Sequence, residues 1–229
     1  GSPSNPTGTV ISRTELESIA RFVAARGGVL RVDEIYQGLV YGEKPGTARA
    51  STALGLPGEV VIVNSFSKYF CMTGWRLGWV ALPQRRMREF EKLAQHLTIC
   101  APSVAQHAAL ACFLPATLKI LEERRIEFQR RRDFLVPALE RAGLVVPARP
   151  SGAFYIYAKC PSAARRFALE LLESEGVAAT PGIDFGSNET MRYVRFAYTR
   201  GMAELEEAAE RVKRFCGRRI RPTRRAGVA

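Results

Sequence analysis

The stretch VVIVNSFSKYFCMTGWRLGWVALP (residues 60–83) decides the fold class, because it joins two apolar runs through a loop rich in hydroxyl and basic side chains. The run VVIVNSF (60–66) is continuous and β-branched, which is typical of a strand covered on both faces. The run LGWVALP (77–83) predicts a further strand that ends at Pro83. In an open parallel sheet, loops that follow the carboxyl ends of strands line the ligand crevice. The loop after residue 66 is therefore a candidate ligand site.

This loop carries the chemistry of a phosphate site and of a reactive amine. Ser65, Ser67 and Arg76 supply two hydroxyl groups and a guanidinium near Lys68, a combination that suits a phosphate group. The amine of Lys68 can form a Schiff base with an aldehyde cofactor. Taken alone, the pattern SxSK fits an ordinary surface loop equally well.

A second group of polar residues ends the preceding strand. The run VLRVDE (29–34) predicts a short strand, which places Asp33 beside the lysine loop. A buried carboxylate at that position needs a cationic partner, and a protonated pyridine nitrogen is one. Tyr36 follows three residues later and can hydrogen-bond a ring oxygen. Taken alone, Asp33 fits a helix N-cap equally well.

The remaining sequence predicts an α/β layer followed by a smaller α+β unit. Helical apolar spacing, with Ser12 or Thr14 as the first N-cap, predicts these helices in chain order: residues 15–25, about 85–97, one from 103, about 116–142 with a local break at Pro137, 162–176 and 202–217. Further strands are predicted in GAFYIYA (152–158) and RYVRFAYT (192–199). Alternating strands and helices up to about residue 110 predict a mainly parallel sheet. We expect a large-domain part over residues 1–112, a small domain over 113–217 reached by a long helix, and a basic tail over 218–229.

Composition narrows the class of protein. The chain has 229 residues, of which 47% are hydrophobic and 24% charged, and this balance is typical of a soluble globular protein. No apolar run approaches the roughly 20 residues that a membrane span needs. The five cysteines are widely spaced and form no CxxC pair, which argues against a disulfide framework or a zinc site and fits a reducing compartment. We expect a cytoplasmic protein without a metal or a membrane partner.

The net charge of +12 and the pI near 10.0 raise the question of a polyanionic partner. Much of the excess is local. It lies in RRIEFQRRR (124–132), where glutamates are interleaved, and in GRRIRPTRR (217–225). Such runs are typical of a solvated surface, and we expect no nucleic-acid partner.

Six stretches together carry a resemblance to a known family. In chain order they are SNPTGT (4–9), DEIY (33–36), NSFSKYFCMTGWRLGW (64–79), GAFYIY (152–157), PGIDFG (181–186) and YVRFAYT (193–199). In residues and order the chain resembles the class I and II aminotransferases, which are fold-type I enzymes dependent on pyridoxal 5′-phosphate. The resemblance covers nearly the whole chain.

The resemblance implies a role for each matched residue. Lys68 would hold the cofactor as a Schiff base and then move the α-proton of the substrate. Asp33 would pair with the pyridinium nitrogen, and Asn5 and Tyr36 would bond the ring oxygen. We also expect a cis peptide bond before Pro6. The cofactor phosphate would be held by Ser65, Ser67 and Arg76.

For the substrate, the resemblance implies that Arg195 grips the α-carboxylate with its two-pronged guanidinium, with Asn5 nearby. Arg192 is a competitor in sequence, but it does not occupy the arginine position before the FAYT-like run (196–199). The implied reaction moves an amino group from an α-amino acid to a 2-oxo acid. A related lyase, decarboxylase or synthase would share Lys68, Asp33 and Arg76, so the reaction type rests on analogy. An alternative is the aminotransferase-like effector domain of a transcription regulator, although no helix-turn-helix is visible in the chain.

Family members are considerably longer, and their extra length precedes the NPTG turn (5–8). The resemblance thus implies a C-terminal fragment that lacks a phosphate-binding turn and a ring-stacking aromatic residue. The full-length protein would be a homodimer. We expect the isolated chain to expose an open sheet edge and an apolar face, to bind the cofactor poorly and to have little activity.

Overall fold

The computed structural model describes residues 1–42 and 51–220. Its contacts divide the chain into two compact units. The first contains Gly1–Glu127 with Ser151–Ala153, and the second contains Phe128–Pro150 with the residues from Phe154 onward. The α/β fold class is confirmed. The predicted domain boundaries at residues 112 and 217 stay a prediction, and most of the predicted tail, residues 221–229, lies outside the described residues.

The first unit contains a three-stranded sheet in the order β1-β2-β3. Its strands are β1 (Val29–Asp33), β2 (Glu59–Ser65) and β3 (Gly78–Ala81). The β1 and β2 strands are parallel, with Asp33 opposite Val63, whereas β2 and β3 are antiparallel. The prediction that β2 is covered on both faces is wrong, because Val63 is 38% exposed. One face of β2 packs on a core, and Val63 points to the other.

Helix α1 (Arg13–Ala24) covers the packed face of this sheet. Ser12 is its N-cap and forms a capping box with Glu15, which settles the choice between Ser12 and Thr14. The core between helix and sheet consists of buried apolar side chains: Leu16, Ala20, Val32, Ala53, Leu56 and Ile62.

The rest of the first unit is helical. It contains α2 (Gln84–Leu97), α3 (Ser103–Leu110) and the first part of α4 (Pro115–Arg141). A second core joins the lysine loop to α3 through Phe66, Met72, Leu77, Ala105, Ala109 and Cys112. Helix α2 has no buried residue, and its apolar side chains Phe90, Leu93 and Leu97 are 43%, 62% and 79% exposed.

The second unit contains an antiparallel sheet in the order β4-β6-β5. Its elements are the last part of α4, β4 (Tyr155–Lys159), α5 (Ala164–Glu175), β5 (Thr180–Pro181), β6 (Tyr193–Ala197) and α6 (Met202–Ile220). The predicted break at Pro137 is wrong, because α4 runs through it. The buried Leu135 and Leu139 on either side hold that turn in the core, which offsets the hydrogen bond that a proline removes.

Within the described residues, no single helix is long and apolar enough to cross a membrane. One bent helix pair, residues 103–113 with 115–141, has the length and apolar composition of a membrane span only when its two helices are counted together.

Candidate active site

The parallel pairing of β1 and β2 brings two predicted site segments to the same sheet edge. Asp33 is the last residue of β1, and Ser65 is the last residue of β2, just before the lysine loop. The sequence predicts a buried carboxylate at Asp33, but the structure leaves this residue exposed. Its Oδ1 accepts a hydrogen bond from the Ile35 N–H at 3.0 Å. The N-terminal segment reaches this end of β1, where the Ser2 N–H donates to the Asp33 carbonyl at 3.0 Å, but it leaves the Asp33 residue exposed.

A cavity of about 350 Å³ lies at this edge. It brings together three predicted cofactor contacts, Asn5, Asp33 and Tyr36, and its other lining residues are Gly1, Pro3, Ser4 and Ile35. Tyr36 is buried, at 6% exposure, whereas Asn5 is exposed. The Asn5–Pro6 peptide bond is cis, as predicted.

Two hydroxyl groups precede Lys68 in sequence: that of Ser65 at the end of β2, and that of Ser67 in the loop that follows. The Oγ atoms of Ser65 and Ser67 lie 2.9 Å apart, and the Ser67 N–H donates to Ser65 Oγ at 3.0 Å. The Thr73 hydroxyl donates to the Ser67 carbonyl at 2.6 Å. Lys68 is half-buried, and its carbonyl accepts a hydrogen bond from the Cys71 N–H at 3.1 Å. The loop backbone is therefore held on both sides of the lysine.

Arg76 ends this loop in the left-handed region, with φ of 53°. Its side chain is exposed, and the guanidinium donates to the Thr73 carbonyl at 2.9 Å. A left-handed conformation is unusual for a residue with a Cβ. The bond to Thr73 ties the guanidinium to the backbone of the same loop.

Arg195 belongs to the second unit, where it lies on β6. Its guanidinium is 4.3 Å from the ring centroid of Tyr155 and 4.7 Å from that of Phe185, and it donates to the Thr180 hydroxyl at 3.2 Å. Arg192 is exposed, in a short turn before β6. Two aromatic faces thus orient Arg195, an arrangement that favours cation–π contact. Sequence reasoning missed both rings as neighbours, although they lie in the stretches GAFYIY and PGIDFG.

Sequence reasoning also missed Glu34, which is 2% exposed. Its carboxylate accepts hydrogen bonds from the Ala53 N–H at 2.7 Å and from the Thr52 hydroxyl at 3.1 Å. Burial raises the pKa of this carboxyl group above its usual range. No local sequence pattern predicts the burial of Glu34, because the segment that covers it, at Thr52 and Ala53, lies about 18 residues away.

The described residues contain no group of three or more histidine, cysteine or acidic side chains that is able to hold a metal ion. His96 on α2 and His107 on α3 are both exposed.

Comparison with known proteins gives a consistent result. The family profile "Aminotransferase class I and II" matches residues 1–212. The chain is 39% identical over 214 residues to a valine–pyruvate aminotransferase of Mycobacterium tuberculosis, covering 92% of this chain and 54% of that protein. It is 36% identical over 222 residues to an aspartate aminotransferase of Bacillus subtilis, covering 93% and 56%.

A solved structure agrees with these relatives. The crystal structure of an aminotransferase from Mycobacterium tuberculosis superposes with a TM-score of 0.89 at 38% identity, covering 95% of this chain and 56% of that one. The chain spans about half the length of the curated relatives it matches.

Proposed function

The chain belongs to the aminotransferase class I and II family, and from this we propose that the protein carrying it moves an amino group from an α-amino acid to a 2-oxo acid with pyridoxal 5′-phosphate as its cofactor. The observation that carries the proposal is the parallel pairing of β1 and β2, with Asp33 opposite Val63. Because the two strands are parallel, Asp33 and the start of the Lys68 loop lie together at the carboxyl ends of the strands. A ligand of an open α/β sheet is expected at that end.

The residues at this edge fit the chemical groups of the cofactor. A carboxylate suits a protonated ring nitrogen, an amine suits an aldehyde, and hydroxyl and guanidinium groups suit a phosphate. Asp33 would accept a hydrogen bond from the ring nitrogen. Asn5 and Tyr36, which line the same cavity as Asp33, would donate to the ring oxygen. The phosphate would be held by Ser65, Ser67 and Arg76.

When bound, the cofactor supplies an electron sink that makes the substrate Cα–H acidic. The Lys68 amine would anchor the cofactor and, once released, take the proton from the substrate Cα and return it during the transfer. Arg195 would bind the substrate carboxylate through two parallel hydrogen bonds. Its two aromatic neighbours limit the directions that the guanidinium can take.

The test uses the complete product of the gene that encodes these residues. Absorbance titration with pyridoxal 5′-phosphate measures cofactor binding, and borohydride reduction with peptide mapping identifies the lysine that carries it. Valine and aspartate are the first amino donors to try and pyruvate is the first acceptor, because these compounds appear in the names of the two relatives above. 2-Oxoglutarate is the second acceptor to try.

We expect Lys68→Ala to abolish both the mapped adduct and turnover. The matched control is Lys92→Ala, which removes an exposed amine paired with Glu89 on α2, and it should change neither. An adduct on a lysine other than Lys68, or turnover that survives Lys68→Ala, would contradict the proposal.

The proposal includes a cytoplasmic location and a homodimeric assembly. All five cysteines are free, which suits a reducing compartment. The exposed apolar side chains of α2 suit burial against a second copy. Light scattering on the complete gene product tests the assembly, with Leu93→Glu as the variant expected to weaken it. A monomeric wild type would contradict the dimer.

A further inference from the structure

Tyr69, the residue directly after Lys68, contacts the turn that follows the Asp33 strand. A Cβ atom placed on Gly38 would lie 2.4 Å from Cγ and 2.6 Å from Cδ2 of Tyr69. Real carbon atoms do not approach so closely, so the Tyr69 ring rests directly on the Gly38 backbone. Gly38 lies two residues after Tyr36, in a turn closed by the hydrogen bond from the Leu39 N–H to the Tyr36 carbonyl at 2.8 Å.

The other end of Tyr69 is fixed to helix α4. Its hydroxyl donates to Glu122 Oε1 at 2.7 Å, and the Arg125 Nε–H donates to Glu122 Oε2 at 2.8 Å. The Arg125 side chain is 13% exposed and also donates to the Val40 carbonyl at 3.1 Å. Burial and the Glu122 carboxylate raise the pKa of Tyr69 above its ordinary value, so the hydroxyl remains a donor at alkaline as well as neutral pH.

Aromatic contacts also hold the loop residues that flank Lys68 in sequence. The rings of Tyr69 and Phe70 meet edge to face with centroids 5.1 Å apart, and Phe70 lies 5.0 Å from Phe66. Phe66 is 8% exposed and belongs to the core beneath the loop. Lys68 therefore lies in a segment whose neighbours on both sides are packed.

We propose that Tyr69 is a positioning residue, which fixes the Lys68 amine relative to Tyr36 through its ring on Gly38 and its hydroxyl on Glu122. This inference rests on the proposed function, in which the amine of Lys68 and the hydroxyl of Tyr36 meet the same small cofactor. Two groups on different loops can do so only if the loops keep a fixed spacing, and a displacement of about 1 Å is enough to cost binding and rate. The contact between Tyr69 and Gly38 sets that spacing.

The experiment compares Tyr69→Phe, Tyr69→Ala and Gly38→Ala in the complete gene product. One readout needs no cofactor: the rate at which isotope-coded formaldehyde and cyanoborohydride methylate Lys68, relative to the exposed Lys92, in the apo protein. The second readout is the apparent Kd for pyridoxal 5′-phosphate. Phe22→Ala is the matched control, since it removes an exposed aromatic ring elsewhere in the first unit.

We expect Tyr69→Ala to raise the relative methylation of Lys68, because the half-buried lysine becomes more exposed, and to weaken cofactor binding about ten-fold or more. Gly38→Ala should do the same, because the added methyl displaces the ring. Tyr69→Phe keeps the ring on Gly38, so its Lys68 methylation and cofactor affinity should stay closer to the wild-type values than those of Tyr69→Ala or Gly38→Ala. The double variant Gly38→Ala/Tyr69→Ala should regain unfolding stability over Gly38→Ala but not cofactor affinity, a split that a purely structural role would not produce.

A folded Tyr69→Ala variant with wild-type methylation of Lys68 and wild-type cofactor affinity would overturn the inference. If Tyr69→Ala does not fold, Tyr69→Leu is judged by the same two measurements. A wild-type protein that does not attach the cofactor at Lys68 overturns the proposed function instead. In that case an unchanged methylation ratio in the Tyr69 variants still overturns the contact proposed for Tyr69.

Discussion

Glu34 carries a buried carboxyl group in the turn after β1, and its ionisation opposes folding. Burial raises the pKa of this group above its ordinary value of 4.5, and the two hydrogen bonds from Ala53 and Thr52 only partly offset that effect. The native state therefore binds the proton more tightly than the unfolded chain does. The free energy of unfolding should fall as the pH rises from the ordinary value through the raised one.

We predict that Glu34→Gln removes this part of the pH dependence. The amide oxygen still accepts the hydrogen bond from the Ala53 N–H, but it has no charge to desolvate. Urea unfolding from about pH 4 to about pH 8 measures the slope of stability with pH. The control is Glu89→Gln, on an exposed carboxylate of α2 whose side chain is 72% exposed. An unchanged slope in Glu34→Gln would show that another group is responsible.

Arg195 is the second residue whose replacement has a specific expected result. We predict that Arg195→Lys raises KM for the amino donor and the oxo acid by about ten- to a hundred-fold, because a lysine loses one of two charge-assisted hydrogen bonds and the stacking on two rings. Cofactor affinity should stay near wild type. Steady-state kinetics and the absorbance titration separate the two effects. Arg192→Lys serves as the control, and a larger KM effect there would reassign the carboxylate contact to Arg192.

At the scale of elements, the ends of α5 and α6 are joined by a buried carboxylate. The Glu175 side chain is 5% exposed and is paired with Arg214 and Arg218, which are 58% and 61% exposed. Arg211 also donates to the Glu175 carbonyl at 2.8 Å. An acidic residue in the last turn of a helix is unfavourable for the helix dipole, so these arginines offset both the dipole and the burial.

This asymmetry in burial predicts which substitution costs more. The double variant Arg214→Ala/Arg218→Ala leaves the buried Glu175 carboxylate without its two arginine partners. It should lower the free energy of unfolding by about 3 kcal/mol. Glu175→Ala leaves two arginines that water can solvate, and it should lower the free energy of unfolding by about 1 kcal/mol. Hydrogen exchange of α5 and α6 amides locates the loss, and Lys213→Ala, at an exposed pair with Glu210, is the control. Equal losses from both sides would mean that the carboxylate is not buried in solution.

At the scale of the whole molecule, helix α4 passes from the first unit into the second. Several candidate cofactor contacts in the first unit, among them Asn5, Asp33 and Arg76, are exposed. Exposed polar groups interact weakly with a ligand because water and salt screen them. Affinity for the proposed cofactor should therefore depend on how well these groups are shielded from water.

We predict that the 229-residue chain by itself binds pyridoxal 5′-phosphate with an apparent Kd of roughly 1 mM or weaker, which is about −4 kcal/mol, and shows little transamination. The complete gene product, measured in parallel by the same absorbance titration, is the reference. Tight binding and Lys68-dependent turnover by the chain by itself would show that the exposed contacts are sufficient.

The sequence alone determined the features that depend on near neighbours. The helices, the strand before Lys68 and the clustering of hydroxyl, amine and guanidinium groups follow from spacing within a few residues, and the six matched stretches identify the family. The sequence narrowed the first N-cap to Ser12 or Thr14, and the structure selected Ser12. Only the tertiary structure decided which groups are buried: Asp33 and Val63 are exposed, and Glu34 is enclosed. It also decided the contacts of Tyr69, whose partner Glu122 lies 53 residues away. Burial and such contacts depend on which distant segment covers a surface, and local spacing carries no information about that.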